Sequence, residues 1–170
     1  MNKDNLPYIP LDEEYGLNFT MLVIMISMLS HNKVGNLVLD INKLQIFIYL
    51  IKNPSKIDHV LSAAGKKRAL LEPKLIFTIK SYSSNVDILF DNNKIKYLLK
   101  MMAAHGLLMA EKNSDDATKI YLSPKGMLFA EGFNEGYFLE IKKLVQAVTP
   151  LQSFAVSKLN SILNQVFKVA

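Results

Sequence analysis

DNNKIKYLLKMMAAHGLLMAEKNSDDATKIYLSP, residues 91–124, reads as three elements in a fixed order. Asp91 is a good cap for a helix in which Ile95, Leu98, Leu99 and Met102 recur at i, i+3, i+4 and i+7, and Gly106 ends that helix. Leu107–Ala110 then reads as a strand, Glu111–Lys119 as a polar turn rich in Asn, Ser and Asp, and Ile120–Leu122 as the returning strand. Ser123 and Pro124 supply a cap and a first-turn proline for another helix. Helix, hairpin and helix in this order predict a winged helix-turn-helix domain, mainly α with a small β-hairpin.

Upstream, Leu17–Leu29 is an apolar run with Met21, Met25 and Met28 at helical spacing, expected to be a buried helix. Asp40 caps a helix running to Lys52 and stopped by Asn53 and Pro54; that helix is apolar almost all round and should be central. Ser55 is expected to cap a short helix through Ile57, Val60 and Leu61 that ends near Gly65. Leu75–Tyr82 fits both an alternating strand and a helix, with helix preferred.

Two extensions flank this core. Residues 1–16 hold Pro7, Pro10 and Gly16 around an acidic cluster and read as an extended N-terminal arm whose Leu6, Tyr8, Ile9 and Leu11 have no period of their own. The winged-helix domain is assigned to residues 17–148, with a helix from Phe133 to Val148 in which Gly132 and Gly136 serve close packing. Residues 151–170 form a C-terminal amphipathic helix with Ala155, Leu159, Ile162 and Val166 along one side. Neither end is needed to close the winged helix, so at least one is expected to be a partner-binding surface, with Leu6, Tyr8, Ile9, Leu11, Leu159, Ile162 and Val166 as its candidate residues.

Composition narrows the function. With 50% apolar and 21% charged residues the chain can bury a real core, and with no cysteine it excludes thiolate metal sites, disulfides and a cysteine nucleophile. The longest apolar run, Phe19–Leu29, is about half of the roughly 20 residues a membrane helix needs, and acidic residues precede it where a signal peptide would be basic. No membrane contact is expected, and the protein is expected in the cytoplasm.

The formal net charge of +5 comes from 20 basic residues of which only Arg68 is arginine, so guanine reading in a major groove is disfavoured. Candidate nucleic-acid contacts are Asn93, Lys96 and Lys100 on the exposed side of the helix after Asp91, and the triplet Lys66, Lys67, Arg68; plain solvation competes with that reading at each. Asp115 and Asp116 in the wing turn work against phosphate contact. His31, His59 and His105 lie on separate elements without a paired ligand, and the glycines form no phosphate loop. The chain is therefore expected to be no enzyme, with no catalytic residue, no metal and no cofactor.

Several stretches together resemble the middle component of ABC-three-component systems, the small subunits that accompany an SMC-like ATPase in Lamassu-type defence operons. They are the arm NLPYIPLDEEYG running into an apolar helix, LDINKLQIFIYLIKNP, the joint IKYLLKMMAAHGLL, and KIYLSPKGMLFAEGF followed by more helix. The resemblance implies a non-catalytic adaptor that joins an SMC-like ATPase and an effector nuclease in anti-phage or anti-plasmid defence, with any DNA contact weak and non-specific. A free-standing winged-helix transcriptional regulator is the competing expectation; it would bind a short palindromic duplex as a dimer.

Overall fold

An apolar helix needs neighbours on every side, and α1 (Tyr15–Leu29) has them in the computed structural model, which describes residues 15–76, 92–112 and 117–168. Met21 through Ile26 and Leu29 are all buried, packed by α7 (Tyr137–Val148), α6 (Pro124–Glu131) and the strand β2 (Thr118–Leu122). The described helix includes Tyr15 and Gly16, two residues ahead of the expected Leu17; residues 1–14 lie outside the described residues.

Asp40 caps α2 (Ile41–Lys52) as expected, accepting the Lys43 amide at 2.9 Å, and Asn53 closes the helix with its amide on Leu50 and Tyr49. Leu44, Phe47 and Leu50 are fully buried, which makes α2 the second inner helix. Ser55 is not a cap. Pro54–Lys56 forms a single 3-10 turn, because proline at its first position fixes φ, and α3 (Ile57–Ala63) continues directly from it with Lys56 at the N-cap and no side-chain bond.

The ambiguous stretch from Leu75 begins inside a single-turn helix, α4 (Pro73–Ile76); residues 77–91, with the cap Asp91, lie outside the described residues. An exposed ion network sets α4 on α7: Lys74 reaches Glu140 at 3.4 Å and Lys143 reaches Glu72 at 2.7 Å. The Lys143 ammonium holds the Glu72 carboxyl below its ordinary range.

Helix α5 (Asn92–Ala104) buries Leu98, Leu99 and Met102 and half-buries Ile95, the expected stripe. The hairpin β1 (Leu108–Lys112) and β2 is antiparallel with Leu108 opposite Leu122 and Lys112 opposite Thr118, so its strands run further toward the turn than the sequence indicated. The turn at 113–116, with Asp115 and Asp116, is outside the described residues. Beyond the hairpin, the Ile120 amide bonds the Leu39 carbonyl at 2.9 Å, which ties the segment before α2 to the outer edge of β2.

Ser123 caps α6, accepting the Gly126 amide at 3.0 Å, and its hydroxyl donates to the Gly106 carbonyl at 2.6 Å. The end of α5 and the start of α6 are thus bolted together. Gly126 sits directly against the Leu107 carbonyl: a Cβ there would overlap that oxygen and stand 3.1 Å from the Leu122 Cβ. Of Gly126, Gly132 and Gly136, the one required for close packing is therefore Gly126. Gly132 and Gly136 are not, since Gly136, at φ +53°, lies outside the helix as the N-cap of α7 and a Cβ on it would meet nothing. That left-handed residue breaks the expected helix from Phe133, and α7 starts at Tyr137.

Helix α8 (Val156–Lys168) corrects the reading of the C-terminal extension. Leu159 and Ile162 are 1% and 2% exposed, buried with Leu163 in the same apolar cluster as α2 and α3, and Val166 packs against that cluster. Its stripe is not a spare surface, because the exposed sides of α2 and α3 needed covering; Ala155 precedes the helix and is exposed. Gln152, in the turn before α8, donates its side-chain amide to the Leu29 carbonyl at 2.6 Å and the His31 carbonyl at 2.8 Å, and its own carbonyl accepts the Lys43 ammonium at 3.1 Å. The last carbonyl of α1 and that of His31 just beyond it are satisfied from a residue more than a hundred positions away. Mainly helical, with eight α-helices and one two-stranded antiparallel sheet among the described residues, the fold has no described helix long and apolar enough to cross a membrane.

Candidate partner interface

The nucleic-acid candidates separate in space by what they touch. Asn93, Lys96 and Lys100 are exposed on one side of α5, opposite its buried stripe. In the basic triplet, Lys66 is half-buried with its ammonium 5.0 Å from the centre of the Phe154 ring, a cation–π contact that ties the end of α3 to the turn before α8. Lys67 and Arg68 are exposed, and Arg68 donates to the Ser62 hydroxyl at 3.1 Å. The triplet therefore presents two cations to solvent and uses the third for packing.

Near the turn end of the hairpin, opposite Glu111, Lys119 is spent on structure. Its ammonium lies 2.9 Å from Asp40, with both side chains nearly buried. Burial, and then the Lys119 charge, push the nearby Lys43 ammonium below its ordinary pKa, while Asp40 opposes that shift. The Asp40 carboxylate thus caps α2 and pairs with Lys119, while the neighbouring Lys43 ammonium is held by the Gln152 carbonyl.

Among the described residues, no group of three His, Asp or Glu side chains is placed to hold a metal ion. His31 is exposed, paired with the Ser30 hydroxyl at 3.0 Å and with the Tyr121 ring; His59 and His105 are exposed on α3 and just after α5.

What the structure adds is apolar surface on α6 and beside it. Gly126 and Ala130 face inward, which turns Leu128 outward at 71% exposure with Met127 at 43% beside it. Phe129, on the other flank, meets Phe19 and Phe133 in edge-to-face contacts, with ring centres 6.4 and 5.1 Å apart. Between the start of α1, α5 and α6 an open cleft of about 470 Å³ is floored by Phe19, Leu98, Met101 and Phe129, with Tyr15 and Lys125 at its rim. Tyr15 stacks edge-on to Tyr97 at 5.9 Å, and the Lys94 ammonium lies 5.2 Å over the Tyr15 ring. Sequence reading missed this region. The run Met127, Leu128, Phe129 looks like core until the close approach at Gly126 fixes which side of α6 faces in.

Leu6, Tyr8, Ile9 and Leu11 lie outside the described residues, so of the partner-binding candidates only Leu159, Ile162 and Val166 are placed, and they face the chain's own core. Compared with known proteins, residues 29–161 match a family model described as ABC-three component (ABC-3C) system Middle Component 4. No curated protein and no solved structure matches.

Proposed function

The chain belongs to the ABC-three component (ABC-3C) system Middle Component 4 family, and on that premise we propose that it is a non-catalytic accessory subunit. Its partners in this reading are an SMC-like ATPase and an effector nuclease of a Lamassu-type defence complex, which a winged-helix core joins in the cytoplasm. The observation that carries the reading is the outward face of α6, where Leu128 and Met127 are exposed on a helix that Gly126 and Ser123 hold rigidly in place. Rigid, exposed, large apolar side chains are what the buried centre of a protein–protein interface is made from. The winged-helix part is supported by the order α5, β1, β2, α6 and by the Ile120 to Leu39 bond along the hairpin edge.

Co-expression of the tagged chain with the other components of its system tests the proposal. The chain should elute with the ATPase, and Leu128→Asp should weaken that association at least about tenfold, equivalent to about 1.4 kcal/mol, without unfolding a side chain that already faces water. Unchanged co-elution of the variant would remove α6 from the interface.

The exposed Asn93, Lys96 and Lys100 favour a second reading, the free-standing regulator, and duplex titration separates the two. An adaptor's DNA binding should be weak, sequence-tolerant and steeply salt-dependent, and Lys96→Glu with Lys100→Glu should lower it alike on matched and scrambled duplexes. A marked preference of the isolated chain for one duplex at moderate salt would favour the regulator.

A further inference from the structure

The outer edge of β1 carries backbone groups that its own hairpin does not use, and two bonds fix which they are. The Ser123 amide donates to the Leu107 carbonyl at 2.9 Å, and the Ile120 amide turns away from β1 to the Leu39 carbonyl at 2.9 Å. Bonded and non-bonded residue pairs alternate along an antiparallel ladder. With Leu108 opposite Leu122, the strands are therefore bonded through Met109 with Tyr121 and Glu111 with Lys119. Leu108 and Ala110 aim their amides and carbonyls outward. Among the described residues nothing bonds to those groups, and β1 is an edge of a two-stranded sheet.

Such an array specifies its occupant. Alternate residues that each offer a donor and an acceptor, about 6.8 Å apart, match another extended strand. No proline and no bulge interrupts β1, and Met109 and Ala110 are exposed. The edge is also complementary to itself. Laid antiparallel about Met109, it sets Leu108 against Ala110 of a second copy and Ala110 against Leu108 of that copy, so every outward group of these residues finds a mate. Met109, 45% exposed, then meets Met109 of the second copy at the close-approach position of the pair. Its neighbour on β2 is Tyr121, so Tyr121 and Met109 of each copy form one row across four strands, ring and thioether side by side. Neighbouring registers are worse. Slid two residues toward the turn, Met109 would face the Glu111 carboxylate of the second copy; slid two the other way, Ala110 would meet Gly106, which at φ +69° lies outside the strand.

We propose that β1 is a self-pairing edge, through which two copies of this chain join their hairpins antiparallel about Met109 into one four-stranded sheet. An edge of five residues buries less than the roughly 1,200 Å² of a standard interface, so the dimer dissociates on dilution. The edge and the outward Leu128 lie on different elements, and the assignment does not depend on the accessory-subunit reading.

The test uses the full chain, which has no cysteine, so a single introduced thiol can cross-link only to a second copy. With oxidised glutathione as oxidant, Met109→Cys should form a disulfide dimer at least about tenfold faster than Glu111→Cys, because only the first thiol meets its counterpart at disulfide distance. Hydrogen exchange at the Ala110 amide of the unsubstituted chain should slow as concentration rises toward the millimolar range, while other exposed amides keep their rates. Ala110→Pro removes the outward N–H and none of the β1–β2 bonds, so it should abolish concentration-dependent sedimentation with its circular dichroism unchanged. Equal cross-linking of the two thiols would overturn the proposal, and so would Ala110 exchange indifferent to concentration, the result expected if another protein supplies the added strand. A folded Ala110→Pro chain that still dimerises would overturn it as well; should that variant fail to fold, cross-linking and exchange decide.

Discussion

Gly126→Val is expected to leave little folded protein, with a loss of more than about 3 kcal/mol, and Gly126→Ala to cost most of that. The reason is backbone, not side chain. A Cβ at Gly126 overlaps the Leu107 carbonyl, which itself accepts the Ser123 amide at 2.9 Å, and the residue lies in the first turn of α6, capped by Ser123. Neither strand end nor helix can withdraw without breaking the Ser123 bond to Gly106 as well. Gly132→Ala is the control, because its Cβ would stand 3.4 Å from the Phe129 carbonyl in ordinary helical backbone. That change should be neutral or stabilise by up to about 1 kcal/mol through the unfolded chain. Urea unfolding of the two variants against wild type compares them; equal midpoints would mean that the α6 joint relaxes freely.

Asp40→Ala should destabilise by about 3 kcal/mol. Loss of the cap on α2 accounts for about 1 kcal/mol, and the rest comes from Lys119, left nearly buried without its carboxylate and facing Lys43. The sign of the second part is checkable. Lys119→Met in the Asp40→Ala background removes the stranded charge, so the double variant should recover about half of the loss, whereas additive losses would show that the ion pair contributes nothing beyond the cap.

Local chemistry was readable in the sequence. Asp40, Asn53, Gly106, Ser123 and Pro124 act within a few residues of themselves, so their caps and breaks fall where they were expected. The α5 stripe was readable for a related reason, since period alone tells which face is apolar. Period does not tell what covers that face, which is why Leu159 and Ile162 read equally well as partner surface and as core. The same limit applied on α6, where three consecutive apolar residues carry no direction until Gly126 meets Leu107 across the hairpin. Gln152 carried no signal at all: a single glutamine before a helix says nothing of two carbonyls on the far side of the sequence.

That glutamine sets a clock for synthesis. Translation delivers Leu29 first, and the donor that closes the end of α1 comes 123 residues later, roughly 6 to 25 s at 5–20 residues per second. During that interval the nascent chain holds two nearly all-apolar helices without the α7 and α8 surfaces that will enclose them. Early stretches cannot fold vectorially and wait. A chain halted before Tyr137 would therefore hold α1 and α2 without the α7 and α8 surfaces that enclose them, and would present that apolar surface to chaperones and proteases.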